Sequence, residues 1–261
     1  MIGGAVLINA VKEQYFLFSE LVKRDFKKKY KRTYLGILWS VLAPLLTLLI
    51  MKLVFTNFFG KDIRNYTTYL FCGNVIFAFF SDAANGGMMS IVSNSSIFTK
   101  IKVPKYLFLL SREATALINF GLTFIVFLFF CIIDGVAITP LFLMLIIPII
   151  CLVIFNLGVG LILSTMFVFF RDMQYLWGIF NTLLTYVSVI FYSIDAFEEK
   201  IKILFYLNPV YVYIRYFRII VLDGKIPSLA MHGLAIGYAL LFLVIGAFVY
   251  KRNNQKFVYY V

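Results

Sequence analysis

Charge is scarce in this 261-residue sequence: Asp, Glu, Lys and Arg together make up 14%, against about 25% in an ordinary soluble domain. With 62% hydrophobic residues beside it, that shortage excludes a water-soluble globule. Histidine occurs once, at His232, and cysteine three times, at Cys72, Cys131 and Cys151, with no Cys/His cluster and no HExxH. A metal-based or histidine-based catalyst therefore has almost nothing to work with. The cysteines fall in apolar segments or at their ends, which predicts small hydrophobes, no disulfide framework and no metal site. The GxxxxGK[ST] phosphate loop is missing, so the chain cannot by that route hold ATP, and no cofactor of its own is expected. Met1 to Ala10 has no basic region ahead of its apolar residues, so it reads as the start of the mature chain rather than a cleaved signal.

What is abundant is apolar sequence in blocks of roughly 20 residues, the length an α-helix needs to cross about 30 Å of hydrocarbon. Such runs lie at Leu35–Phe55, Tyr69–Ile91, Ala114–Ile133, Leu141–Phe170, Tyr175–Ile194 and Leu229–Tyr250. They predict an all-α polytopic membrane protein with six crossings. The fourth run is too long for one straight crossing and carries Pro148, so it should kink, tilt or lie partly in the interface. The fifth follows it after little more than Arg171 and Asp172, which leaves their boundary open. A formal charge of +12 would suggest nucleic acid in a soluble chain, but here it follows the topology. With the N-terminus cytoplasmic, 16 basic residues fall inside and 7 outside. The positive-inside rule then predicts both termini on the cytoplasmic side of a bacterial cytoplasmic membrane, and no nucleic-acid partner. Only Lys52 and Asp82 lie within the runs. The chain divides into an N-terminal amphipathic helix over 1–33 and a membrane domain over 34–261, with no internal repeat and no appended soluble domain.

Between Val11 and Tyr30 the residues Val11, Tyr15, Phe18, Val22 and Phe26 share a helix face, with Lys12, Glu13, Glu20, Lys23, Arg24 and Lys27 opposite. This predicts a helix in the interface, its basic run Lys27 to Arg32 against anionic headgroups; anchoring and partner-holding both remain open. The segment 94–112 is basic and carries Ile97, Phe98, Ile101 and Val103 close together. Ser95 or Ser96 is expected to cap a short helix that Pro104 ends. Either it lies on headgroups or its apolar residues form a knob that docks into a partner's groove. Tyr66, Tyr69, Phe77 and Phe80 share one face of the second run, and Tyr175, Thr182, Tyr186, Val189 and Ser193 one stripe of the fifth. Rings and hydroxyls suit a sugar chain, while helix packing and aromatic belts are the plainer explanation. Between the fifth and sixth runs, 196–227 is apolar but broken by Asn208 and Pro209, so two short helices should dip into the outer leaflet and return. Arg215 and Arg218 share a face there, toward headgroups or an anionic substrate.

Four pieces, in order and spacing, resemble one family: LVKRDFKKKYKRTYLGILWSVLAPL from Leu21 to Leu45, IKVPK from Ile101 to Lys105, FFRDMQ from Phe169 to Gln174, and LNPVY from Leu207 to Tyr211. The chain is similar over nearly its whole length to the membrane subunits of type-2 ABC exporters of polysaccharides, including O-antigen, capsule and teichoic-acid exporters. The resemblance implies a homodimer joined to two copies of a separate ATPase subunit, which binds ATP and Mg, and a glycan or lipid-linked glycan substrate. It makes 94–104 a coupling helix, with Ile97, Phe98, Lys100, Lys102 and Pro104 meeting the ATPase. It makes Tyr34, Trp39, Phe77, Phe80, Tyr175 and Tyr186 candidates for a channel lining. Asn208, Pro209, Tyr213, Arg215 and Arg218 become an outer gate between re-entrant helices. No intrinsic catalysis is expected of this subunit.

Two other readings stand beside it. The residues do not exclude a type-2 ABC exporter of a small drug or lipid. A membrane-embedded glycan-modifying enzyme would need paired carboxylates, for which Asp195, Glu198, Glu199 and Asp223 are the outer-side candidates.

Overall fold

The structure, a computed structural model, describes residues 2–261 except 31–33, 60–62, 64, 102 and 196. It is helical from end to end, and no strand occurs among the described residues. The helices are α1 (Ile2–Tyr30), α2 (Trp39–Phe59), α3 (Tyr66–Met89), α4 (Ser95–Phe98), α5 (Tyr106–Ile133), α6 (Ile146–Phe169), α7 (Met173–Val187), α8 (Glu199–Phe205), α9 (Pro209–Val221), α10 (Leu229–Asn253) and α11 (Phe257–Tyr260).

Among the described residues four helical stretches are long and apolar enough to cross a membrane. A fifth arises if α3 and the residues Val92–Phe98, bent by 53° to each other, count as one span. The expected fifth crossing is the shortest element of the set, for α7 has 15 residues, a rise of about 22 Å. Its stretch to Ile194 is completed by turns instead of helix. The long fourth run resolves differently from a kink. Pro140–Leu145 forms a 3₁₀ segment and α6 starts at Ile146, so Pro148 falls in a first turn whose amides need no intrahelical acceptor. The third run starts earlier than its apolar block, at Tyr106, and takes Arg112 and Glu113 into the helix; Glu113 is buried against Asn156 Nδ2 at 3.5 Å.

α6 is the centre of the bundle, packed between α3 and α10. Glycines set both crossings. A Cβ on Gly158 would overlap backbone atoms of Phe242 and Leu243, and one on Gly246 would overlap the backbone of Gly158. A Cβ on Gly87 of α3 would lie 2.9 Å from Gly160 Cα of α6. Small residues let backbones touch where lipid offers no hydrophobic drive to association. Rings fill the rest, among them Phe71 on Phe130, Phe79 on Phe120 and Phe155 on Phe242, each pair 4.8 Å apart. A second, smaller apolar cluster gathers at the end that carries α1, α4 and α11, where Arg24, Lys105 and Arg112 also lie.

Candidate functional site

At this basic end α4 is a single turn. Its N-cap is Asn94, one residue before the expected serine, and the Asn94 side chain does not cap. Instead Oδ1 accepts from Arg24 Nη2 at 2.7 Å, while Nδ2 donates to the Ser90 carbonyl at 2.7 Å. The turn closes without help from Pro104, through the amides of Thr99, Lys100 and Ile101 folding back on Ser95 and Ile97. Pro104 leads into α5, its carbonyl accepting from Leu107.

The knob expectation needs correction at its central residue. Phe98 points inward, 7% exposed, packed near Phe108 with Leu21, Ile91, Leu107 and Phe257 in the same cluster. One turn has two sides, and burying the largest ring leaves Ser96, Thr99, Lys100 and Ile101 to face outward, Ile101 at 54%. Ile97 and Val103 are half-buried, and Lys102 lies outside the described residues. Lys105 braces the turn from below: Nζ sits 5.5 Å from the ring centroids of both Phe98 and Phe257 and donates to the Asn254 carbonyl at 2.6 Å. Burial lowers the pKa of that ammonium.

Behind α4 lies a buried carboxylate that the sequence pattern does not reveal. Asp25 of α1 is buried, and its Oδ1 accepts from Arg24 Nε and Nη2 at 3.0 and 2.7 Å. Its Oδ2 accepts from Ser111 at 3.2 Å, with Arg112 Nε at 3.4 Å. Arg24 therefore joins α1 to the N-cap of α4, and Asp25 joins the same point to α5.

A continuous cleft rises from this junction. A cavity of about 250 Å³ lined by Asp25, Lys28 and Arg112 meets a second of about 600 Å³, the two sharing Asp82, Ala116 and Asn119. The larger lies between α2, α3 and α5 and presents Trp39, Thr47, Asn74 and Thr123. Asn119 donates to Asp82 at 3.1 Å, and Asn181 of α7 donates to Ser81 at 3.0 Å. Of the expected lining residues, Trp39 stands in the cleft wall and Tyr34 is fully exposed. Tyr175 and Tyr186 are 68% and 61% exposed on α7, whose one buried residue is Trp177. Phe77 and Phe80 are not on an open surface. α3 turns them into the core, where Phe80 packs 5.8 Å from Phe155 and 6.1 Å from Trp177. The face α3 leaves accessible is Asn74, Ala78, Ser81, Asp82 and Asn85. Two amides, a hydroxyl and a carboxylate at i, i+11, i+7 and i+8 inside an apolar run are the signal available for it, since polar groups are costly at membrane depth.

At the opposite end the chain leaves helix after Val187, and side chains satisfy the exposed carbonyls. Arg218 is 2% exposed and does not reach toward headgroups. It donates to the carbonyls of Val189 at 2.8 Å, Ile190 at 3.1 Å and Tyr69 at 3.1 and 3.3 Å, with its guanidinium 3.4 Å from the Tyr69 ring centroid. Gly73 makes room, for a Cβ there would lie 2.9 Å from Nη2. Tyr66 and Tyr69 hydroxyls donate to Phe191 and Tyr192, each at 2.7 Å. Val189 has φ 57°, a left-handed strain of about 1–3 kcal/mol for a β-branched residue, which this network holds. Asn208 caps α9, Oδ1 accepting from Val210 at 3.0 Å and Nδ2 donating to Ser188 at 2.9 Å, and Pro209 is the first residue of the helix. Tyr213 is buried and donates to the Ala235 carbonyl at 2.9 Å. Arg215 faces Asp223 at 3.4 Å. Two short helices, α8 and α9, thus flank Asn208–Pro209.

Comparison with known proteins gives the family. The model of the ABC-2 type transporter family matches residues 17–222. An O-antigen export system permease protein, RfbA of Klebsiella pneumoniae, is 30% identical over 250 residues, 93% of this chain and 95% of the relative. RfbA of Myxococcus xanthus is 27% identical, over 85% of this chain and 87% of its own length. The polysialic acid transport protein KpsM of Escherichia coli is 23% identical, over 90% and 92%. A multi-pass helical bundle matched across most of its length in this way belongs to the ABC-2 type transporter family of membrane proteins.

Proposed function

We propose that this chain is the membrane subunit of an ATP-driven exporter that carries a polysaccharide or lipid-linked glycan out across the cytoplasmic membrane. It works as a homodimer with two copies of a separate ATPase that binds ATP and Mg. The carrying observation is the near-complete alignment with an O-antigen export permease, joined to an amide-and-hydroxyl cleft running through apolar helices. Six crossings fit the order of elements, with α7 as a short fifth and both termini cytoplasmic. α8 and α9 act as the outer gate around Asn208 and Pro209, and α4 is the coupling helix.

In this reading ATP-driven closure of the partner pushes on the outward side of α4. Asn94, Arg24, Asp25 and Ser111 pass that displacement to α1 and α5. The little-buried α2 and α7 then part as rigid bodies along the conduit. Weak contacts to Trp39, Tyr175, Tyr186 and the polar row let a glycan advance and release.

The test is co-purification of the chain with its candidate ATPase and ATPase activity of the pair in nanodiscs, with Lys100→Ala plus Ile101→Ser in the turn that follows α4. Phe98→Ala is a poor probe because it empties part of a core. Loss of the ATPase from a folded Lys100→Ala/Ile101→Ser permease supports the coupling role. If the wild-type chain, folded, binds no ATPase at all, the exporter reading fails.

A further inference from the structure

The end of the bundle that carries α9 holds a cavity the cleft does not explain. It measures about 500 Å³, within the roughly 300–1,000 Å³ of small-ligand pockets. Four segments form it: the start of α3, the loop after α5, the turn at 193–195 and the end of α9. Its polar side chains include Asn65, Tyr69, Thr139, Ser193 and the charged Asp195, Arg215 and Asp223.

The walls are tied to one another. Asp134, at the end of α5, accepts from the Thr68 amide at 3.1 Å and hydroxyl at 2.8 Å, and its carbonyl accepts from Asn65 at 2.7 Å. Gly135 and Gly224, with φ 74° and 59°, turn the two rim loops. The second loop is pinned by the amides of Asp223 and Lys225, which donate to Arg218 and Ile219.

Of the four outer-side candidate carboxylates Asp195, Glu198, Glu199 and Asp223, the fold brings two, Asp195 and Asp223, to this one cavity and leaves Glu198 and Glu199 out of its lining. Ser193 donates to Asp195, and Arg215 lies 3.4 Å from Asp223. The Thr139 hydroxyl, buried in the wall, has no hydrogen-bond partner. Carboxylates offer acceptors and the guanidinium offers donors, while each sugar hydroxyl both donates and accepts. The described lining bears two negative groups and one positive. Asp223 is offset by Arg215, so a phosphate or sialyl carboxylate placed beside Asp195 meets repulsion there that a neutral sugar does not.

Resting on the exporter reading, we infer that this outer cavity is an exit subsite for a neutral, hydroxyl-rich sugar residue of the exported chain, held by Asp195, Arg215 and Asp223.

Saturation-transfer NMR on the permease–ATPase complex in nanodiscs tests it, with neutral tetrasaccharides of glucose, galactose, mannose and rhamnose and their phosphorylated counterparts as probes. At least one neutral probe should bind, its phosphorylated form at least about tenfold more weakly. Asp195→Asn and Asp223→Asn, both at exposed positions, should each weaken the neutral probe about tenfold, the effect of one hydrogen bond to a charged group. Binding of no neutral probe, preference for the phosphorylated form, or binding unchanged in both variants overturns the inference while leaving an assembled, ATP-hydrolysing exporter intact. Failure of the wild-type chain to assemble with an ATPase counts instead against the exporter reading.

Discussion

Replacing Asp25 by Asn tests whether α1 holds α4 in place. The substitution keeps the shape and removes the charge that fixes Arg24, whose Nη2 is shared between Asp25 and Asn94 among the described residues. Breaking a buried ion pair costs about 3–5 kcal/mol. Here the Arg24 and Arg112 side chains keep 38% and 23% of their exposure, so water recovers part of it and about 2–3 kcal/mol is the expected loss. At about 1.4 kcal/mol per tenfold, local opening of the α4 turn becomes roughly 50-fold easier. Hydrogen–deuterium exchange of the amides of Thr99, Lys100 and Ile101, which close that turn, reads this directly. Asn94→Leu should accelerate the same amides, and the double variant should add little, because both changes cut one link. Lys23→Ala, which removes only an exposed pair with Glu20, should leave them alone. Exchange unchanged in Asp25→Asn, or full additivity with Asn94→Leu, would refute the link.

Other substitutions separate packing from docking. Arg218→Met leaves the carbonyls of Val189, Ile190 and Tyr69 without their donor, at about 1–3 kcal/mol each, so thermal unfolding in detergent should fall well below wild type. Arg218→Lys should recover only part, since one ammonium cannot reproduce the fork; wild-type melting in both variants would show that these contacts are not made. Gly158→Leu forces α6 and α10 apart and should abolish folded, monodisperse protein, whereas Gly121→Ala, with open space at its Cβ, should be silent in size-exclusion chromatography. Phe98→Ala should lower stability by about 3–5 kcal/mol in a melting assay, and Ile101→Ser should cost little there while weakening capture of the ATPase.

The helical class was legible because apolar blocks of span length leave few alternatives, and the break at Asn208–Pro209 fell where turn residues predicted it; the boundary that Arg171 and Asp172 left open lies between Phe169 and Met173. Orientation of helices about their axes was not legible. On α1 the expected apolar stripe is only partly the packed side: Tyr15 is exposed, while Phe18 packs with Leu17 and Leu21 and Asp25 is buried beside them, so contact runs along the flank and includes a carboxylate that a hydrophobic pattern assigns to solvent. On α3 the aromatic face invited the conduit role, yet in an apolar surrounding Phe77 and Phe80 gain by close packing against other rings. The amides are what the core excludes. Arg218 was misread for the converse reason, because a cation near an outer end normally snorkels, and only the non-helical carbonyls after Val187 explain its burial. No local pattern announces those carbonyls.

The glycine crossing between α6 and α10 fixes which parts of the molecule are free to move. Where two backbones touch at Gly158 and Gly246 there is no side-chain layer to shear, so neither helix can slide or roll on the other without collision. The pair is a stator. Under the proposed mechanism a stroke delivered at one end is taken up by α2 and α7, which bury few of their residues. Spin labels on exposed sites of α6 and α10 should hold one separation through a full nucleotide cycle, while labels on α2 and α6 change theirs.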